Sequence, residues 1–165
     1  MPSRPPPPPH IRGFTLIELL VALLVLGVAL LGLAGLQSVA VQENRTALLR
    51  TQATVAAQEM LDRMRANRTE ALAPGAPYQT ALTQPASTYT PCNSNCTTTA
   101  VAGNDLYRWK LGLQQQLPNG QGAISRPATN LFEVTVQWSE QDLASTANGP
   151  QREFTPRSIT LRSEL

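Results

Sequence analysis

Between Phe14 and Leu36 the chain has no proline and a single ionisable side chain, Glu18. A helix of that length, at 1.5 Å per residue, reaches about 35 Å, against about 30 Å for the hydrocarbon core of a bilayer. A helix buried in a soluble core rarely needs so long an apolar surface on every side. The run therefore reads as a membrane-inserted helix, and it leaves the rest of the chain to fold around whatever that helix becomes on leaving lipid.

Glu18 is the exception to explain. Near the end of the run a carboxylate costs less than at the bilayer centre, but it is still disfavoured. Either it snorkels to the headgroups or takes up a proton, or a positive group meets it when the segment packs into protein. Upstream, residues 1–13 carry Arg4 and Arg12 and six prolines, five of them the run Pro5–Pro9. That tract favours polyproline II and cannot continue the helix. An ordinary secretory peptide would be cut after the apolar run. Gly32-Leu33-Ala34 and Gly35 are small enough, but the apolar pattern continues past them. Positive charge before the span predicts a cytoplasmic N-terminus and an exported remainder.

The string Gly13-Phe14-Thr15-Leu16-Ile17-Glu18, opening directly into the span, resembles the class III signal of type IV pilins and type II secretion pseudopilins. The resemblance implies cleavage between Gly13 and Phe14 by prepilin peptidase, N-methylation of Phe14, and a Glu18 that attracts the amino terminus of a neighbouring subunit. A buried carboxylate paired with an α-amine is a physically tolerable arrangement. Within the span, Gly27, Gly32 and Gly35 each weaken a helix by roughly 1 kcal/mol against alanine in water. They read either as ordinary glycines of a membrane helix or as a segment that loses helicity in a filament. Many major pilins have a proline near the position of Gly35, which this chain lacks.

Charge and residue inventory exclude several functions. Removing residues 1–13 leaves eleven basic residues against eleven acidic ones. A neutral chain without clustered Lys and Arg has no general attraction for nucleic acid. The single histidine, His10, would leave with the leader. The remainder then has no His-dependent triad and no histidine metal site. No enzyme, cofactor or metal is expected, since only scattered acids and Lys110 would be left for catalysis.

After Leu36 the pattern becomes amphipathic. Leu49, Ala53, Ala56, Ala57, Met60, Leu61 and Met64 fall on one helical face, and Glu59 and Arg63 form an i, i+4 pair. Arg63, Arg65 and Arg68 suit the C-terminal end of a helix, or alternatively a patch for an acidic partner. Continuous helix from Phe14 to about Asn67 would be roughly 80 Å long. Met60–Arg68 resembles the minor pilins called PilV, the type IV pilus modification proteins.

Residues 70–104, rich in Pro, Gly, Ser, Thr, Asn and Ala, read as a long loop. Cys92 and Cys96 lie in it. In an oxidising exported compartment the default is a disulfide between them. A redox pair would more often be C-x-x-C, and zinc would need further ligands. A short helix is expected over 105–117, capped by Asn104 or Asp105 and ended by Pro118-Asn119-Gly120, with Leu106, Trp109, Leu113 and Leu117 facing a core. This Trp-containing helix also resembles PilV sequences.

Strands are expected at 121–125, 131–139 and 157–165, with a loop at Asn148-Gly149-Pro150 before the last. Phe132, Val134, Val136 and Trp138 alternate with polar residues, and Ile159 and Leu161 share one side. The expected fold is α+β and pilin-like: a long N-terminal helix, its second half packed on a small antiparallel sheet spanning 121–165, with an extra short helix. The parts would be a cleaved leader (1–13), a transmembrane or filament-core helix (14–36), its amphipathic continuation (37–69) and a periplasmic domain (70–165).

The resemblance implies a minor pilin held in the inner membrane and then inserted into a type IV pilus, where it helps prime assembly for twitching motility, adhesion or DNA uptake. Its partners would be prepilin peptidase, other minor and major pilins and the assembly platform. The alternatives are a minor pseudopilin of type II secretion and, from another class, a membrane-anchored periplasmic binding module.

Overall fold

The computed structural model describes residues 14–146 and 149–165. The leader, with Arg4, His10, Arg12 and Gly13, and the turn residue Asn148 lie outside the described residues. The elements in chain order are α1 (Leu16–Ala66), α2 (Arg68–Ala71), a 3-10 turn (Ala86–Thr88), α3 (Thr98–Gln116), β1 (Gln121–Ala128), β2 (Leu131–Thr146) and β3 (Gly149–Glu164). The strands form one antiparallel sheet in the order β1-β2-β3. The architecture is α+β, as the hydropathy pattern predicts. The chain divides into two compact units, residues 1–44 and 45–165.

In the unit from Arg45 onward the core is built from three faces. Helix α1 contributes Ala53, Ala57, Met60, Leu61 and Met64, with Leu49 and Ala56 partly covered. Helix α3 contributes Ala102, Leu106, Trp109 and Leu113. The sheet contributes Ile124, Phe132, Val134, Val136 and Trp138, with Ile159 and Leu161 at the margin. These are the apolar positions expected from i, i+3, i+4 and i, i+2 spacing. Alanines 53, 56 and 57 let α3 approach closely enough for the Trp109 indole N–H to bond the Ala56 carbonyl at 2.9 Å. Two glycines are required by close approach: a Cβ at Gly122 would overlap the Trp109 ring and Leu113, and one at Gly120 would meet the Leu113 carbonyl.

Helix α3 begins at Thr98, seven residues before the expected start at 105, so the expected loop at 70–104 is shorter and less irregular. Thr98–Gly103 is rich in β-branched and small residues, which conceals a helix from propensity alone. Tertiary contacts decide it. The Thr97 hydroxyl caps the helix by accepting from the Ala100 N–H at 3.2 Å, and Ala102 is fully buried. The Thr98 and Thr99 hydroxyls each donate to the Glu70 carboxylate at 2.9 Å. Asn104 and Asp105 are therefore interior helix residues, not caps. The segment before α3 also holds α2, the 3-10 turn and a bridge in which Thr80 and Ile124 exchange both backbone bonds, covering the outer edge of β1.

The strands also run longer than expected. β1 extends to Ala128 past an irregularity between Ser125 and Ala128. β2 continues to Thr146, and β3 starts at Gly149 rather than 157, so Gly149 and Pro150 are strand residues. β1 pairs with β2 only as far as Gln121↔Gln137, so Gln141↔Phe154 and the pairs beyond belong to a two-stranded ribbon. The hydropathy alternation that marks the earlier part of β2 fades there, which is why the sequence pattern does not show these strand residues. Ser139, opposite Pro156, gives its N–H to Pro118 O, away from β3. The N–H that Pro156 lacks would thus have pointed off the outer edge, which is where a strand tolerates proline.

Candidate functional site

The first turn of α1 explains the order of residues in the N-terminal string. Thr15 precedes the helix, and its hydroxyl accepts from the Glu18 N–H at 3.4 Å. Its carbonyl receives the Leu19 N–H at 3.2 Å. Thr-x-x-Glu at a helix start is the capping-box spacing, and a carboxylate in the first turn is favoured by the helix dipole. Glu18 is thereby fixed one turn from Phe14, with both residues exposed. Capping by Thr15 was legible in the sequence as the spacing Thr15-x-x-Glu18, although the apolar run and the signal resemblance drew attention first.

Beyond this turn the helix is apolar on all sides. Its most hydrophobic window has a mean hydropathy of 2.8, and none of that window is buried within the chain. Leu16, Leu20, Leu24, Leu31 and Leu36 are all well over half exposed. A core helix of a soluble protein would have most of this surface covered. Here the cover must be lipid or other chains. The helix runs unbroken through Gly27, Gly32 and Gly35, and among the described residues nothing lies within 4 Å of the place of their missing side chains.

Residues 9–34 match a protein family described as the prokaryotic N-terminal methylation motif. The chain carries a pilin-type N-terminus. The motif and the apolar helix together indicate membrane anchoring, processing by prepilin peptidase and assembly with other pilins. No curated protein and no solved structure matches the chain. The motif ends before the amphipathic part of α1, so the unit from Arg45 to Leu165 is characterised by its own structure.

In that unit Cys92 and Cys96 form a disulfide with 6.0 Å between their Cα atoms. It closes a small loop immediately before the Thr97 cap, and the Cys92 N–H bonds the Asn104 side chain at 3.3 Å. An open groove of about 640 Å³ runs beside it, lined by Thr88–Ser94 and the start of α3. Among the described residues no group of His, Cys, Asp and Glu is placed to hold a metal ion.

The arginines expected at a helix end split into different roles. Arg65 pairs with Asp62 at 2.6 Å and bonds the Ser163 hydroxyl, and Arg68 bonds the Leu165 carbonyl. Arg63 bridges Glu59 at 2.7 Å and Asp105 at 3.1 Å. Asp105 in turn accepts from the buried Tyr78 hydroxyl at 2.8 Å, and that hydroxyl accepts from Asn67 at 3.1 Å. Burial, reinforced by Asp105 and only partly offset by the Asn67 bond, pushes the Tyr78 phenol far above its usual range and keeps it a donor. Burial would lower the Arg63 guanidinium, but its bonds to Glu59 and Asp105 outweigh that and raise it. This polar network joins α1, α3 and the intervening segment. Asp105 carries no sign of it in the sequence, since its partners lie 27 and 42 residues away.

Proposed function

We propose that this chain is a minor pilin of the PilV kind, stored in the inner membrane and inserted into a type IV pilus to help prime its assembly. The observation that carries the reading is the capped Thr15–Glu18 turn opening an apolar helix that the chain itself leaves uncovered. In this reading prepilin peptidase removes residues 1–13, Phe14 is N-methylated, and the N-terminus faces the cytoplasm while the later domain lies in the periplasm. The helix then moves from lipid into the filament bundle. Lipid tails are as apolar as leucine, so leaving them releases little hydrophobic energy. Directional pairing between Glu18 and the amine of a neighbouring Phe14 supplies the bias, as a desolvated ion pair in place of an unpaired carboxylate. The assembly platform and other pilins are the partners that act on it.

Mass spectrometry of the chain purified from its own cells tests the first step. A mature N-terminus at methylated Phe14 is expected, and a start at Met1 or a cut near Ala34 would overturn the reading. Deletion of the gene separates the two filament systems. Loss of piliation and twitching is expected, whereas loss of exoprotein secretion with intact pili would assign the chain to a type II secretion pseudopilus. Glu18→Ala should leave the domain folded and abolish incorporation into filaments.

A further inference from the structure

Lys110 is the only lysine in the chain, among twelve arginines. It lies on α3, 3 % exposed, and its ammonium donates to the Ala81 and Gln84 carbonyls, each at 2.6 Å. An ammonium has three N–H donors. Among the described residues the third has no protein acceptor, and no carboxylate pairs with the ammonium. The other charged groups on the elements packed around it are occupied elsewhere. Asp105 is held by Arg63 and Tyr78, Arg108 by Asn104, and Arg126 by the Leu72, Ala73 and Thr129 carbonyls. Tyr89, the nearby phenol, bonds Thr80 and Gln84. A buried cation surrounded by neutral dipoles is costly.

Lys110 also lines a recess of about 110 Å³ between α3, the 82–85 segment and the start of β1. Gln84, Gln114 and Gln121 stand around it, with Thr83. The Gln84 Oε1 atom accepts from Thr80, the Ala81 N–H and Tyr89, which leaves its amide NH2 as a donor. Among the described residues the lining holds no acid. A water takes up about 30 Å³ in the liquid, so the space suits a carboxylate and the carbon or two that carry it. We propose that this recess binds a single carboxylate group, through the free N–H of Lys110 and the amide donors of Gln84, Gln114 and Gln121. The proposal stands apart from the pilin reading, since it rests only on the unit after Arg45.

One lysine gives one side-chain NMR signal. With full-length protein in detergent micelles and its lysine labelled at Nζ and Cε, the signal is followed during titration with sodium acetate, against sodium chloride of equal ionic strength. Acetate is expected to shift the signal saturably and to move its titration midpoint upward from about 8, while chloride leaves both unchanged. The Gln84 and Gln121 amide signals should respond to acetate in the wild type and not in Lys110→Met. If that variant does not fold, the surface change Gln114→Leu with Gln121→Leu should weaken the acetate response at least threefold. A second titration uses the N-acetyl, N-methylamide form of glutamate. A response to both probes identifies the carboxylate as one a partner chain can supply, and a response to acetate alone identifies a free small acid. No response to either, or an equal response to chloride, overturns the proposal.

Discussion

Replacing Asp105 with alanine tests whether the polar network holds α3 to α1 or merely decorates their contact. The Tyr78 hydroxyl, on a residue with no exposed surface, would keep the Asn67 donor but lose the acceptor for its own proton. A buried donor left unsatisfied costs about 1–3 kcal/mol. Arg63 would keep Glu59 and remains 28 % exposed, so its lost contact adds at most about 1 kcal/mol. Asp105→Ala should therefore destabilise the fold by about 1–4 kcal/mol. Tyr78→Phe removes the hydroxyl and leaves Asp105 paired with Arg63, at about 1–2 kcal/mol. In the double variant no orphaned proton remains, so its cost should fall short of the sum of the two single costs by about 1 kcal/mol or more. Urea unfolding of the full-length chain in detergent micelles, followed by the fluorescence of the buried Trp109 and Trp138, measures all four corners of the cycle. Additive costs, or an Asp105→Ala variant within about 0.5 kcal/mol of wild type, would refute the argument.

Three other outcomes follow from the same structure. Gly122→Ala should cost about 1–3 kcal/mol or more in the same unfolding assay, because its methyl must displace the Trp109 ring or Leu113. Replacing both Cys92 and Cys96 with serine should cost about 2 kcal/mol by loop entropy, and reductant should lower the wild-type midpoint to that of the variant. Burial lowers the Lys110 amine from 10.5 to about 8, so between those values the unfolded chain binds more protons than the folded one. Stability from this group is then full above pH 10.5 and lost as pH falls through 8. Wild type should gain on the order of 3 kcal/mol relative to Lys110→Met across that window, and parallel pH profiles would contradict the assignment.

What could be read from the sequence follows from how each part is stabilised. The apolar run was legible from its length and its lack of charge, and the face Ala53–Met64 from helical spacing, because one surface there is buried against the rest of the domain. The inner positions of β2 were legible for the same reason. The start of α3 was not, because it depends on Thr97 as a cap and on Glu70 receiving two threonine hydroxyls from 28 and 29 residues away. The early start of β3 was missed because residues 149–156 show no apolar alternation. Asp105, Tyr78 and Lys110 became meaningful only when the fold brought their partners together.

The two halves of α1 illustrate how one helix can serve two surroundings. From Leu16 to Leu36 its side chains are mainly large and aliphatic on every face, so no single partner surface within this chain could cover them. Beyond Arg45 the covered face is built on Ala53, Ala57, Met60, Leu61 and Met64, small residues followed by larger, mostly flexible ones. Small residues admit the Trp109 indole to the helix backbone, and the methionines fill what remains beside it. The second pattern fixes one partner in one register, whereas the first accepts any apolar neighbour. Exchanging these requirements should fail in opposite ways. Ala57→Leu should destabilise the domain by about 1–3 kcal/mol through overpacking, with membrane insertion intact. Leu24→Ala should leave domain stability unchanged in urea unfolding, because Leu24 is exposed and lies outside the core of the later unit. A domain weakened by Leu24→Ala would show that the two halves are not independent in this way.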